Sequence, residues 1–116
     1  MEKMVFTYGT LRRYGVRQMI PGNHEVVADA TLRGFSRETD IRLSMNPDGV
    51  VEGQILMTDS LRSIDDYEGV DSGVYHRVLV PTETGDEIWL YHFGNNREAT
   101  DQYVKNGEAA IEVTDE

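Results

Sequence analysis

Residues 58–69 read Thr58-Asp59-Ser60-Leu61-Arg62-Ser63-Ile64-Asp65-Asp66-Tyr67-Glu68-Gly69, and here the two-residue alternation of the preceding sequence gives way to helical spacing. Leu61, Ile64, Asp65 and Glu68 fall at i, i+3, i+4 and i+7, one face of a helix. Thr58 or Asp59 stands where a cap belongs, and Gly69 stands where a helix stops. The upstream sequence and much of the downstream sequence read as strand, so this helix sits between two groups of strands.

Upstream, Met4 to Tyr8 is a short apolar run ending at Gly9, a core strand that delivers its end into a turn. Ala28, Ala30 and Leu32 alternate with polar neighbours up to Gly34, as a half-buried strand does. Ile41, Leu43 and Met45 alternate again, and Asn46-Pro47-Asp48-Gly49 is a turn sequence. Val50 to Met57 then reads as the return strand of a hairpin over residues 41–57. Downstream, Val74 to Val80 and Glu87 to Phe93 are strands joined by a Gly85-Asp86 turn. Arg97 to Lys105 reads as a short helix ending at Asn106-Gly107. Strands in sequence with short turns favour antiparallel pairing. The expectation is an α+β class protein: one domain over residues 1–116, a small, mostly antiparallel, barrel-like sheet with short helices, and a weakly specified tail from about residue 107.

The 116 residues suffice for one core and one pocket. The 21 acidic against 11 basic residues give a net charge of -10, a field that repels phosphate backbones and anionic lipid. Neither nucleic acid nor membrane is expected as a partner. The chain has no cysteine, which removes disulfides, thiolate catalysis and Cys-type zinc sites. Met1 to Phe6 lacks the apolar run of a signal peptide, so a cytoplasmic location is expected.

Two features carry potential chemistry. Glu68 shares its stripe with Leu61 and Ile64, and a carboxylate on an apolar face is costly to ionise, which moves its pKa upward. Such a group takes up and returns a proton near neutral pH. The same spacing also fits a cap, a partner of Arg77, or a side chain turned to solvent at the helix end. The second feature is Tyr8-Gly9-Thr10-Leu11, where a glycine at a strand exit lets backbone N–H groups converge on an anion. An ordinary turn fits equally. Comparison with a nucleotide-binding loop fails, because five residues separate Gly9 from Gly15 and Val16 follows it. His24 lies beside a turn and is expected in solvent. His76 and His92 are expected to meet across neighbouring strands, but without a third ligand to make a metal site. Tyr67, Tyr75, Trp89, Tyr91 and Phe93 read as core aromatics, with phenols at strand ends available to orient a ligand.

Phe6-Thr7-Tyr8-Gly9-Thr10-Leu11-Arg12, Val51-Glu52-Gly53-Gln54-Ile55-Leu56, Ile64-Asp65-Asp66-Tyr67-Glu68-Gly69 and Tyr75-His76-Arg77 occur in order. Together they resemble the γ-glutamyl cyclotransferase-like superfamily, in its short branch of γ-glutamylamine cyclotransferases and AIG2-like proteins. The resemblance implies a small β-barrel with flanking helices and a pocket at one end. It implies conversion of a γ-glutamyl amide, a small-molecule substrate, into 5-oxoproline and a free amine without a cofactor. It assigns Glu68 as acid/base, the backbone of Gly9 to Leu11 beside Tyr8 as the substrate cradle, and Tyr75 as an orienting group. Arg77 is left to pair with an acidic group of the protein. Two departures stand out. The C-terminal Gly-Asp-Trp-like element is replaced by Asn106-Gly107-Glu108, and the segment at Ser44-Met45-Asn46 lacks the aromatic-Pro start of its turn region. Both bear on the leaving group more than on Glu68, and they keep open a second reading, a non-catalytic binding or interaction module on the same fold.

Overall fold

A computed structural model describes residues 3–8, 14–39, 42–94 and 96–114. The elements run β1 (Lys3–Thr7), α1 (Tyr14–Gln18), β2 (His24–Thr39), β3 (Arg42–Thr58), α2 (Leu61–Glu68), β4 (Tyr75–Pro81), β5 (Glu87–Phe93), α3 (Arg97–Lys105) and β6 (Ala110–Val113). The six strands form one sheet in the order β4-β5-β1-β3-β2-β6. It curls into a half-barrel whose edges touch at a single bridge, Thr82 to Ile111. Antiparallel pairing dominates as expected, with one exception: β1 runs parallel to β5 through Val5–Trp89 and Phe6–Leu90.

Alternation along the strands sorts side chains into two layers. Phe6, Leu32, Phe35, Ile55, Val78, Leu90 and Ile111 fill the concave side, closed by Val104 of α3. Val5, Leu56 and Tyr91 face outward, and α2 lays Ile64 over them with Ile20 at the margin. A single strand such as β1 therefore serves both layers, Val5 outward and Phe6 inward. Among the described residues no helix is long and apolar enough to cross a membrane.

The hairpin expected over residues 41–57 is not formed. β3 is continuous through that region and pairs with β2, not with itself, from His24–Thr58 at one end to Thr39–Arg42 at the other. The turn residues are absorbed as a bulge: Arg33 pairs with Val50 and Phe35 with Met45, so residues 46–49 face Gly34 alone. Asn46 accepts a hydrogen bond from the Asp48 N–H at 3.1 Å, keeping the local turn chemistry within the strand pair. Gly34 makes the crossing possible. Its φ is +97°, and a Cβ there would collide with the Glu108 carbonyl oxygen. β2 thus runs past the glycine where alternation had placed its end, and the true hairpin reaches from His24 to Thr58.

Two smaller corrections concern the cap and the tail. Ser60, not Thr58 or Asp59, caps α2, its hydroxyl accepting from the Ser63 N–H. Thr58 is buried, its Oγ1 accepting from the Ser60 N–H and contacting His24 Nδ1 at 2.7 Å, while Asp59 is occupied by Asn23. His24 is accordingly half-buried and not free in solvent. The tail read as weakly specified contributes β6, which pairs with β2 from Ala30–Val113 to Arg33–Ala110. Its residues lack a run long enough to announce a strand, yet Ile111 is fully buried.

Candidate active site

The site lies where β1 and β5 end side by side. Because these two strands are parallel, Tyr8 and Phe93 emerge at the same end of the sheet. α2 brings Glu68 to that end as its last residue. Gly69, with φ +81°, takes the left-handed conformation and returns its N–H to the Asp65 carbonyl at 2.9 Å, stopping the helix there.

Glu68 is half-buried, and loss of water moves its carboxyl up from the ordinary 4.5 to about 7. No described residue donates a hydrogen bond to it. Its charge is felt by three phenols, Tyr8, Tyr75 and Tyr91, each held above the ordinary phenol range chiefly by burial; Glu68 adds to this, after Tyr75 at Tyr8 and after the bonded Asp65 at Tyr91. Tyr8, only 6% exposed, donates its hydroxyl to the Tyr91 carbonyl oxygen at 2.9 Å. Tyr75 starts β4 and packs edge-on against Phe93, with centroids 5.6 Å apart.

A second carboxylate fixes the helix. Asp65 Oδ1 accepts from the Tyr91 hydroxyl at 2.5 Å and from Arg77 Nε at 2.8 Å. The Arg77 guanidinium stacks 4.2 Å above the Trp89 ring. This ties α2 to β4 and β5 one turn before Glu68. It also settles which acid Arg77 serves: Asp65 takes the guanidinium and Glu68 does not. Of the two acids, only Asp65 is given donors by the described residues.

The structure therefore brings together Glu68, Tyr8 and Tyr75. Gly9, Thr10 and Leu11, the expected backbone cradle, lie outside the described residues. It also gathers groups that the sequence reading did not single out. The far end of the β2–β3 hairpin extends past the ends of β1 and β5. It sets the Arg37 guanidinium 5.9 Å from the Tyr8 ring centroid and that of Arg42 4.1 Å from the centroid of Phe93. No signal in the sequence pointed to them, since the expected hairpin would have ended short of this position.

His76 and His92 do meet across β4 and β5, with centroids 5.2 Å apart. They point into the concave layer, away from Glu68, and share Thr100 of α3 at 3.0 and 3.4 Å. Nδ1 of His76 donates to the Gly94 carbonyl at 2.7 Å. Among the described residues no three acidic or histidine side chains cluster to hold a metal ion. The pair is part of the packing that seats α3.

Residues 5–109 match the family described as Gamma-glutamyl cyclotransferase, AIG2-like. No curated protein matches the chain. Among solved structures, one named Gamma-glutamyl cyclotransferase is 22% identical with a TM-score of 0.61, over 82% of this chain and 68% of that one. The uncharacterized protein loc79017 from Homo sapiens is 23% identical with a TM-score of 0.58, over 81% and 68%. At5g39720.1 from Arabidopsis thaliana is 22% identical with a TM-score of 0.57, over 91% and 85%. These likenesses share the half-barrel and its helices, and the family match spans both the β1 exit and the helix that ends at Glu68. The chain belongs to the gamma-glutamyl cyclotransferase, AIG2-like family.

Proposed function

We propose that this protein cleaves a γ-glutamyl amide into 5-oxoproline and a free amine, with Glu68 as the proton carrier. The observation that supports this reading is a desolvated carboxyl, shifted to about 7, held among the phenols of Tyr8 and Tyr75 at the end of β1. A group titrating near neutrality is well matched to accept a proton and return it within one turnover.

In this reaction the Glu68 carboxylate removes a proton from the substrate α-ammonium. The freed nitrogen attacks the γ-carbonyl carbon of the same molecule and closes a five-membered ring. As the tetrahedral centre collapses, the carbon–nitrogen bond to the departing amine breaks, Glu68 gives that nitrogen the proton, and the second proton shed by the ring nitrogen leaves with the amine as its ammonium. No water is consumed and Glu68 ends as it began. Ring closure within one molecule needs little beyond orientation. The resemblance gives the developing oxyanion, or the substrate carboxylate, to the backbone N–H groups of Gly9, Thr10 and Leu11, a task for fixed dipoles. Tyr8 and Tyr75 remain protonated at any physiological pH; Tyr8 donates its proton to the Tyr91 carbonyl and walls the site, and Tyr75 is the phenol given the task of orienting substrate.

Release of 5-oxoproline from a panel of γ-glutamyl amides by the purified protein tests the reading. Glu68→Gln keeps the shape and removes the proton carrier, and a loss of about a hundredfold or more in kcat is expected, the usual worth of general acid–base catalysis. Turnover of this variant at the wild-type rate removes Glu68 from the mechanism. Binding of the amides with no 5-oxoproline from the wild-type protein favours the non-catalytic module.

A further inference from the structure

Asp65 and Glu68 stand three residues apart on α2, a spacing that makes their side chains neighbours on the helix surface. A cation that serves one of them is therefore close to the other, and Arg77 is that cation. Along β4, Tyr75 and Arg77 share one side of the strand, two residues apart, and the Tyr75 phenol already feels the Glu68 charge. Two anchors hold the guanidinium on the Asp65 side. Its Nε donates to Asp65 Oδ1 at 2.8 Å, and its carbon lies 4.2 Å from the Trp89 ring centroid. The same Asp65 oxygen accepts from the Tyr91 hydroxyl at 2.5 Å, which fixes the acceptor as well. The electrostatics follow this division: the Arg77 charge is felt at Tyr91, while burial governs Glu68. The other charged or titratable groups around Glu68 are Tyr8 of β1, Tyr75 of β4, Tyr91 of β5 and Tyr67 of its own helix, with Arg37 beyond Tyr8 and Arg42 beyond Tyr75. Asp66 and Asp71 also line the cleft beside Arg77, but both are exposed, and solvent screens a charge pair there. Glu68 is half-buried, and the same pair is stronger where water is scarce.

We propose that Asp65 is a positioning residue for the cyclotransferase reaction: by engaging Arg77 over Trp89 it keeps the guanidinium from the Glu68 carboxylate. This rests on the reading above, in which Glu68 carries the proton. Without Asp65 the guanidinium turns to the neighbouring shielded acid, and a carboxylate paired with a cation is a poor base at neutral pH. Asp65 itself touches no reacting atom; it acts through Arg77.

The experiment reads the Glu68 carboxyl directly. Carbon-13 NMR of the full chain, labelled at the glutamate side-chain carboxyls, follows each signal against pH, and the signal lost in Glu68→Gln is that of residue 68. Wild type is expected to titrate near 7; a midpoint near 4.5 overturns the proposal together with the proton-carrier reading. Asp65→Asn keeps an acceptor for the Tyr91 hydroxyl, so α2 stays seated, but loses the charge that holds Arg77. Its midpoint is expected to fall by about 1–3 pH units, the effect of a cation at close range. Arg77→Gln alone leaves the midpoint at 7 or above, because the Asp65 charge then stands uncompensated beside Glu68. The double variant, Asp65→Asn with Arg77→Gln, returns it to near 7. The acid limb of kcat/KM for a γ-glutamyl amide moves with these midpoints. An unchanged midpoint in Asp65→Asn overturns the proposal. So does an equal fall in the double variant, which would trace the effect to loss of a like charge and not to Arg77. Tyr91→Phe loosens α2 while the ion pair stays, and a fall there as large as in Asp65→Asn also overturns it, since hydration of Glu68 would then be the cause. The expected midpoints, with no 5-oxoproline released from any amide, support the hold of Asp65 on Arg77 and refute the chemistry proposed for Glu68.

Discussion

Replacing Glu68 and His92, singly and together, exposes two opposed proton linkages that cancel in the native protein. Burial raises Glu68 from 4.5 to about 7, so between those values the folded state holds a proton that the unfolded chain has released. Its contribution to stability is present below 4.5 and is lost as the pH rises through 7, by about 3 kcal/mol. Burial, with the His76 ring beside it, lowers His92 from 6.5 to about 4. Here the unfolded chain binds the proton and the folded state does not. Its contribution is present above 6.5 and is lost as the pH falls through 4, again by about 3 kcal/mol. In the shared window, 4.5 to 6.5, the two slopes have equal size and opposite sign.

The wild-type protein is therefore expected to show nearly flat stability across that window. Glu68→Gln leaves His92 alone, and stability then rises with pH by about 1.4 kcal/mol per unit. His92→Gln leaves Glu68 alone, and stability falls with pH at the same rate. Any constant cost of repacking around residue 92 drops out, because the slope is what is read. Urea unfolding followed by the fluorescence of Trp89, the single tryptophan, measures all four proteins at several pH values. At pH 8 the Glu68→Gln protein should also be the more stable by up to about 3 kcal/mol, because the wild-type fold carries an ionised, poorly hydrated carboxylate there. A Glu68→Gln profile parallel to the wild-type curve would mean that residue 68 is hydrated, and the proton-carrier reading fails with it.

Three further outcomes are expected. The acid limb of kcat/KM against pH should turn near 7, because only ionised Glu68 can take the substrate proton. A limb near 4.5 contradicts the buried carboxyl. Tyr91→Phe removes one of the two donors to Asp65 and should cost about 1–2 kcal/mol in urea unfolding; an unchanged midpoint would show that the phenol does not hold α2. Gly34→Ala forces a left-handed backbone onto alanine and a Cβ onto the Glu108 carbonyl, so a loss of about 2 kcal/mol or more is expected. Wild-type stability in that variant would refute the crossing geometry assigned to the bulge.

What could be read from the sequence was whatever local spacing determines. The helix at 61–68, its stop at Gly69, the strands at 75–81 and 87–93 and the helix at 97–105 each carry their signal within a single segment. So does Glu68, whose place on the apolar stripe of α2 follows from a count of residues. Partner choice is not local. Asn46-Pro47-Asp48-Gly49 has the composition of a turn, and only the approach of Gly34 from another strand makes it a bulge. β6 has no signal of its own because its burial is conferred by β2. The parallel pairing of β1 with β5 joins residues some 80 positions apart, and no short-range pattern reports it.

That long-range pairing has a chemical consequence at Glu68. A carboxyl keeps a pKa near neutrality only if it is dry and also denied a strong donor, since a cation or a set of N–H groups would bring it back down. The β5 strand supplies both conditions at once. Its Tyr91 places a ring under α2 that excludes water, and its hydroxyl, with Arg77 from the neighbouring strand, gives the nearby cation to Asp65. Asp65 and Glu68 are three residues apart on one helix and meet opposite fates because the sheet beneath gives donors to the first and phenol rings to the second. The ion pair thus does more than seat the helix: by engaging Arg77 it leaves Glu68 as the acid in this cluster without a donor among the described residues, the condition that the proposed proton transfer requires.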